Sequence, residues 1–228
     1  MSELAFPLMP ATLDLMYWPL LLVGAYLLGA VPFSQLIAKA RGRDLRSVGT
    51  GNIGAGNLSR LFGWQWGLIA ALLDAAKGFL PVFIAQRMGL GPGAAGLAGV
   101  AAVVGHSWSI FMRGRAGRGL ATSAGMLLAL NPVLLVWVGG WALVGRRFGS
   151  GFGGFLGWAL LPIVAAAMGR PGTESFLLLL LTFVLMARRA QGNHDSEPGM
   201  RPAMERIIYD TDKVVQEFPR AGHDPLAP

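Results

Sequence analysis

The chain has 228 residues, 54% of them hydrophobic and only 14% charged, with no cysteine and a formal charge of +7. A soluble domain carries about 25% charged residues, so this composition excludes an ordinary soluble core. The missing cysteines exclude disulfide and thiolate chemistry, and in so apolar a chain the positive balance reads as membrane topology, not nucleic-acid binding.

A spanning helix needs about 20 apolar residues. Seven spans are predicted on that measure, at about 15–38, 62–86, 94–112, 119–131, 132–145, 153–169 and 174–189. The first lacks a basic leader and an A-x-A cleavage site, so it reads as a retained helix and not a signal peptide. The fourth and fifth are short and divided by Asn131-Pro132, which leaves open two short helices or one broken span. The sixth opens in a glycine-rich run from Gly149 to Gly157 and contains Pro162. With seven spans, Lys39, Arg41, Arg43, Arg46, Arg60, Arg113, Arg115, Arg118, Arg146, Arg147, Arg188 and Arg189 all fall on one face. Only Arg87 and Arg170 fall on the other. The positive-inside rule then puts the N-terminus outside and the C-terminus in the cytoplasm, whereas six spans would split the basic loops between sides. The expected fold is an all-α integral membrane protein of about seven transmembrane helices. Residues 1–190 form its membrane domain, and 191–228 read as a largely disordered cytoplasmic tail, with a short amphipathic helix near 203–217 as an option.

Between the first two spans runs Thr50-Gly-Asn-Ile-Gly-Ala-Gly-Asn-Leu-Ser-Arg60. Glycines at 49, 51, 54 and 56 let backbone N–H groups turn onto an anion, and arginine supplies a bidentate charge. Gly49-x-Gly51-x-x-Gly54 formally matches the dinucleotide fingerprint. That fingerprint needs a preceding strand and a loop acid about 20 residues on; here a basic loop precedes it and Asp74 lies inside an apolar span, so nicotinamide binding is rejected. A glycine loop without a ligand stays open. A second cluster, Arg113-Gly-Arg115-Ala-Gly117-Arg118-Gly119-Leu-Ala-Thr122, opens the fourth span on the same face. There guanidinium groups and helix N-terminal N–H groups converge on one anion, unless the arginines only set topology or touch lipid headgroups.

Gly105-His106 ends the third span, where a histidine is a proton carrier, a phosphate donor or a structural hydrogen-bonder. Asp74 and Lys77 share one face of the second span and read as a self-neutralising pair supporting the site from below. Asp44, the only loop acid, is flanked by Arg43 and Arg46. No acid follows His106 at acyltransferase spacing, and there is neither a G-x-S-x-G elbow nor a His/Cys/Asp metal cluster. These residues describe a site for phosphate-bearing ligands without a carboxylate base.

Gly24-Ala-Tyr-Leu-Leu-Gly-Ala-Val-Pro-Phe33, the run from Asp44 to Asn57, Leu73-Asp-Ala-Ala-Lys-Gly-Phe-Leu-Pro81, Gly105-His106 with Phe111, and Gly114 to Thr122 together resemble one family over roughly residues 20–150. It is the bacterial acyl-phosphate:glycerol-3-phosphate acyltransferase family (PlsY). The resemblance implies transfer of a fatty acyl group from acyl phosphate to the 1-position of glycerol 3-phosphate, giving lysophosphatidic acid and phosphate as the first step of phospholipid synthesis. It implies a multi-pass enzyme of the bacterial inner membrane, among membrane lipid, with its site facing the cytoplasm, no cofactor, and proton transfer assisted by substrate phosphate. Carried over residue by residue, it implies Thr50, Asn52, His106 and Arg118 as catalytic. It implies Gly49, Gly51, Gly54, Asn57, Arg60, Arg115, Gly117, Gly119 and Ser150 as substrate-binding.

Departures are visible. Thr50 stands where the family has serine, and Arg115 and Arg118 where it has lysines. Gly153 replaces the second serine of the segment from Arg147. After the last span only Arg188, Arg189 and Asn193 echo the family's His-Arg-x-Asn-Ile. They keep open a diverged paralogue that binds phospholipid or phosphate metabolites without acyl transfer. Seven spans also allow a small transporter, although no inverted repeat is present.

Overall fold

Pro32 breaks the first predicted span. Proline disfavours helix at the residue before it, so α1 (Ala11–Ala30) stops and α2 (Phe33–Ala40) restarts with Pro32 as its N-cap. The computed structural model describes residues 11–148, 150–170, 172–193, 196 and 198–209. It is almost wholly helical. Part of the predicted glycine loop is itself a helix, α3 (Ala55–Phe62), and Gly63 separates it from α4 (Trp64–Arg87). α5 (Pro92–Ser107) ends earlier than the third predicted span, because the chain turns into a two-residue hairpin. Its strands β1 (Trp108–Ser109) and β2 (Gly114–Arg115) pair antiparallel, Trp108 opposite Arg115.

Asn131 divides α6 (Leu120–Leu130) from α7 (Pro132–Phe148), at the point marked by Asn131-Pro132. The sixth predicted span is two helices, α8 (Ser150–Ala159) and α9 (Leu161–Ala167), broken just before Pro162. α10 (Gly172–Gln191) follows, then α11 (Met200–Tyr209). Among the described residues, two segments, Tyr17–Ala40 and Trp64–Arg87, are by length and composition long and apolar enough to cross a membrane alone.

Packing runs opposite to that of a soluble domain. Asp74, Lys77, His106, Thr122, Ser123 and Arg188 are buried, while Leu68, Leu72, Val136, Phe176 and Phe183 face outward. Polar side chains turned to the bundle interior are the arrangement a lipid surround favours. Small residues bring the central helices close: a Cβ at Gly78 of α4 would run into the Thr122 carbonyl of α6, and one at Gly125 into the Ala75 carbonyl.

The described helices continue past the predicted domain boundary at 190. α10 runs through it, and α11 packs back on α8 and α10. The last carbonyls of a helix lack intrahelical donors, and arginines supply them here. Buried Arg206 donates from Nε and Nη2 to the Ala190 carbonyl at 3.0 and 2.7 Å, and Arg189 donates to the Ile207 carbonyl at 3.2 Å. Within the expected disordered tail, 200–209 is therefore a docked helix. Residues 210–228, including the rest of the helix expected near 203–217, lie outside the described residues.

Candidate active site

Two helix N-termini open onto one cleft of about 340 Å³. Gly54 to Asn57 start α3 on one wall, and Gly119 to Ala121 start α6 on another. First-turn N–H groups have no partner inside a helix, and the helix dipole adds positive potential there. The cleft is thus prepared for an anion from two directions. Arg60, exposed on α3, and Arg118, half-buried just before α6, line it as well.

The loop from Val48 to Gly54 completes the cleft. Gly49 and Gly51 adopt φ of 56° and 67°, the left-handed conformation that turns the loop and favours glycine. Thr50 and Asn52 line the cleft, and Asn52 Oδ1 is buried without a hydrogen-bond donor, an acceptor open to a ligand hydroxyl. Asn57 also lines it, but its amide mainly holds the loop. Nδ2 donates to the Val48 and Leu45 carbonyls at 2.9 and 3.2 Å, and Oδ1 accepts from Thr50 N–H at 3.4 Å.

Thr50, Asn52, Gly54, Asn57, Arg60, His106, Arg118 and Gly119 are thus brought together around this cleft. Gly117 stands behind it, and a Cβ there would collide with His106 Nε2, so only glycine lets the imidazole pack against this segment. Arg115 lies elsewhere. It donates to the Gln191 and Asn193 carbonyls at 3.2 and 3.1 Å and lines a separate pocket with Trp108 and Met112. Ser150 opens α8, and its side chain lies outside the described residues.

His106 has a partner that sequence does not reveal. The packing of α4 against α5 brings Asp74 Oδ1 to 3.5 Å from His106 Nδ1, and both residues line the cleft. Lys77 Nζ lies 2.8 Å from the same oxygen and donates at 2.9 Å to the Val31 carbonyl, which also accepts from Phe33 N–H at the break around Pro32. The expected Asp74–Lys77 pair is present. No acid stands near His106 in sequence, and helix packing brings the Asp74 carboxylate beside it from a distant span. The only sequence signal for it is an acid placed inside an apolar helix.

Two more residues brace the site. Arg188, 1% exposed, donates to the carbonyls of Ser107, Ala116 and Gly192 at 3.2, 2.7 and 2.7 Å, so its fork closes the base of the hairpin between His106 and Arg118. Asn193 Nδ2 donates to the Thr50 carbonyl at 2.5 Å. The glycine at 153 also has a physical reason: it sits where α7 and α8 touch, and a Cβ would meet Gly145 and the Trp141 carbonyl.

Known proteins resemble this chain in sequence and fold. The family model described as glycerol-3-phosphate acyltransferase matches residues 19–195. A glycerol-3-phosphate acyltransferase of Thermus thermophilus is 42% identical over 172 residues, covering 73% of this chain and 85% of that protein. Glycerol-3-phosphate acyltransferase 2 of Moorella thermoacetica is 38% identical over 204 residues, covering 88% and 98%. The crystal structure of PlsY, an integral membrane glycerol 3-phosphate acyltransferase, is similar in its glycerol 3-phosphate form. There the TM-score is 0.74 and the identity 26%, over 87% of this chain and 95% of that one. Its lysophosphatidic acid form gives a TM-score of 0.70 at 26% identity, over 77% and 89%.

Proposed function

Because the chain belongs to the glycerol-3-phosphate acyltransferase family, we propose that its cleft transfers a fatty acyl group from an acyl phosphate to the 1-hydroxyl of glycerol 3-phosphate. The protein is an acyltransferase acting on glycerol 3-phosphate, with lysophosphatidic acid as product. Acyl phosphate as donor is what the family resemblance implies, and one observation supports it: two helix N-termini and two arginines face a single cleft, which suits two phosphate groups held side by side.

In this reading the glycine loop, the α3 N-terminus and Arg60 hold one phosphate, and Arg118 with the α6 N-terminus holds the other. Proximity of hydroxyl and acyl carbon supplies much of the rate. The 1-hydroxyl oxygen bonds to the acyl carbon, and the bond from that carbon to the phosphate oxygen breaks. Phosphate leaves with the electron pair. His106 Nε2 takes the hydroxyl proton and returns it to the departing phosphate, while Asp74 holds the ring by its Nδ1 side. Helix N–H groups beside the carbonyl stabilise the developing oxyanion. Asn52 orients a glycerol hydroxyl, with Thr50 beside it, and Ser150 is retained as a substrate-side residue on the family resemblance alone.

The same reading includes seven spans, an outer N-terminus, and a cleft opening to the cytoplasm of the bacterial inner membrane. The basic residues gathered on the side of the glycine loop support it. The test is purified protein in detergent with labelled glycerol 3-phosphate and either palmitoyl phosphate or palmitoyl coenzyme A. Labelled lysophosphatidic acid is expected with the phosphate donor only. Equal product from both donors contradicts the donor assignment, and binding without product indicates a ligand-binding paralogue.

A further inference from the structure

Outside the catalytic cleft, one arginine lies against two aromatic rings. Arg41, just past α2, lies with its guanidinium carbon 4.1 Å from the Trp66 ring centroid and 5.2 Å from that of Phe62. Two rings hold the guanidinium in place but supply no anion, and its N–H fork stays available. Arg41, Ile37 and Trp66 line a pocket of about 570 Å³, open to one side. Lys39 and Arg43 flank it in sequence. Among the described residues, none of these three cations has a carboxylate within ion-pair distance. The one acid of this loop is already engaged. Asp44 is 2.6 Å from Arg46 Nη2 and accepts from Gln35 at 2.8 Å, and the Arg46 hydrogen bond holds its carboxyl well below the usual carboxylate range.

The position along the chain says what kind of anion fits. The first membrane-crossing segment ends at Ala40 and the next begins at Trp64. The chain between them joins consecutive spans, so Arg41 and Trp66 stand at the same membrane surface, the level where headgroups and tryptophans meet. Beyond Trp66 on the same face of α4, Ile69 and Leu73 are 44% and 37% exposed. A cation at headgroup level above an apolar strip matches a phosphate attached to acyl chains.

We infer that Arg41, set against Phe62 and Trp66, binds the phosphate of an anionic phospholipid at a site separate from the catalytic cleft. The two sites share α3, since Phe62 ends the helix whose Arg60 lines the cleft. A lipid bound at Arg41 therefore steadies the helix that holds the substrate phosphate.

The readout is lipid retention, which does not depend on acyl transfer. Protein purified with equal amounts of phosphatidylglycerol and phosphatidylcholine of identical chains is analysed by native mass spectrometry. The wild type is expected to retain one phosphatidylglycerol in preference to phosphatidylcholine. Arg41→Gln is expected to reduce that retention about tenfold, the scale of one lost charged contact. Arg41→Lys keeps the charge without the fork, and a several-fold reduction is expected. It serves as the test if the glutamine variant does not fold. Unchanged retention in the folded variants, or equal retention of both lipids, overturns the inference. Displacement by millimolar inorganic phosphate assigns the pocket to free phosphate instead and also overturns it.

Discussion

Alanine at Arg118 is expected to lower kcat/KM for glycerol 3-phosphate by about 10²–10³-fold, or roughly 3–4 kcal/mol of transition-state stabilisation. Arg118 lines the cleft immediately before the α6 N-terminus, where its charge adds to the N–H groups of the first turn. It is half-buried, so water replaces its contribution poorly. Arg60 lines the same cleft but is exposed, and its alanine variant is expected to lose less, about ten- to a hundredfold. Neither arginine belongs to the buried apolar clusters of the bundle, so both variants are expected to insert and fold in detergent. Arg118→Lys is expected to recover much of the activity, since the family it resembles carries lysine there. Full turnover in Arg118→Ala would sink the assignment of this cleft.

Asp74→Asn carries a second large effect, on fold and rate together. The substitution leaves Lys77 buried without its carboxylate, and unpairing a buried ion pair costs about 3–5 kcal/mol. The single variant is therefore expected to be less stable in detergent. Asp74→Asn with Lys77→Met removes both charges, and it is expected to regain stability. It is not expected to regain rate, because His106 has still lost the group beside Nδ1. A loss of about 10²-fold or more in kcat, within the range of general acid–base catalysis, is expected to persist in the double variant, with little change in KM. If the stable double variant turns over normally, Asp74 does not position His106 for the reaction, and full turnover in His106→Gln would further show that the proton passes through substrate phosphate, as the family resemblance implies.

Much of this site is legible in sequence because its chemistry is local. The glycine loop, Arg60 and the arginine run before α6 are contiguous, and their spacing alone describes anion binding. The division at Asn131 is legible for the same reason, since proline acts on its immediate neighbours, whereas the break before Pro162 falls inside what reads as a single span. Contacts between spans are not. Nothing periodic connects Asp74 to His106, and only the packing of α4 on α5 joins them. Arg115 and Arg118 look equivalent in sequence, yet a hairpin of two-residue strands turns the first toward the end of α10 while the second lines the cleft. The Pro32 break is visible as a residue, but its use is not: the Val31 carbonyl at the break accepts from Lys77 as well as from Phe33 N–H. The docking of α11 is equally hidden, because its polar, proline-containing sequence resembles a solvated tail until Arg206 finds the end of α10.

The most direct measurement is a crystal structure of this protein with glycerol 3-phosphate bound. The phosphate is expected within about 3 Å of first-turn N–H groups of α3 or α6 and of Arg60 or Arg118, with the 1-hydroxyl turned toward His106 Nε2. A phosphate bound instead in the pocket of Arg115, Trp108 and Gln191, with the cleft beside His106 empty, would contradict the central claim.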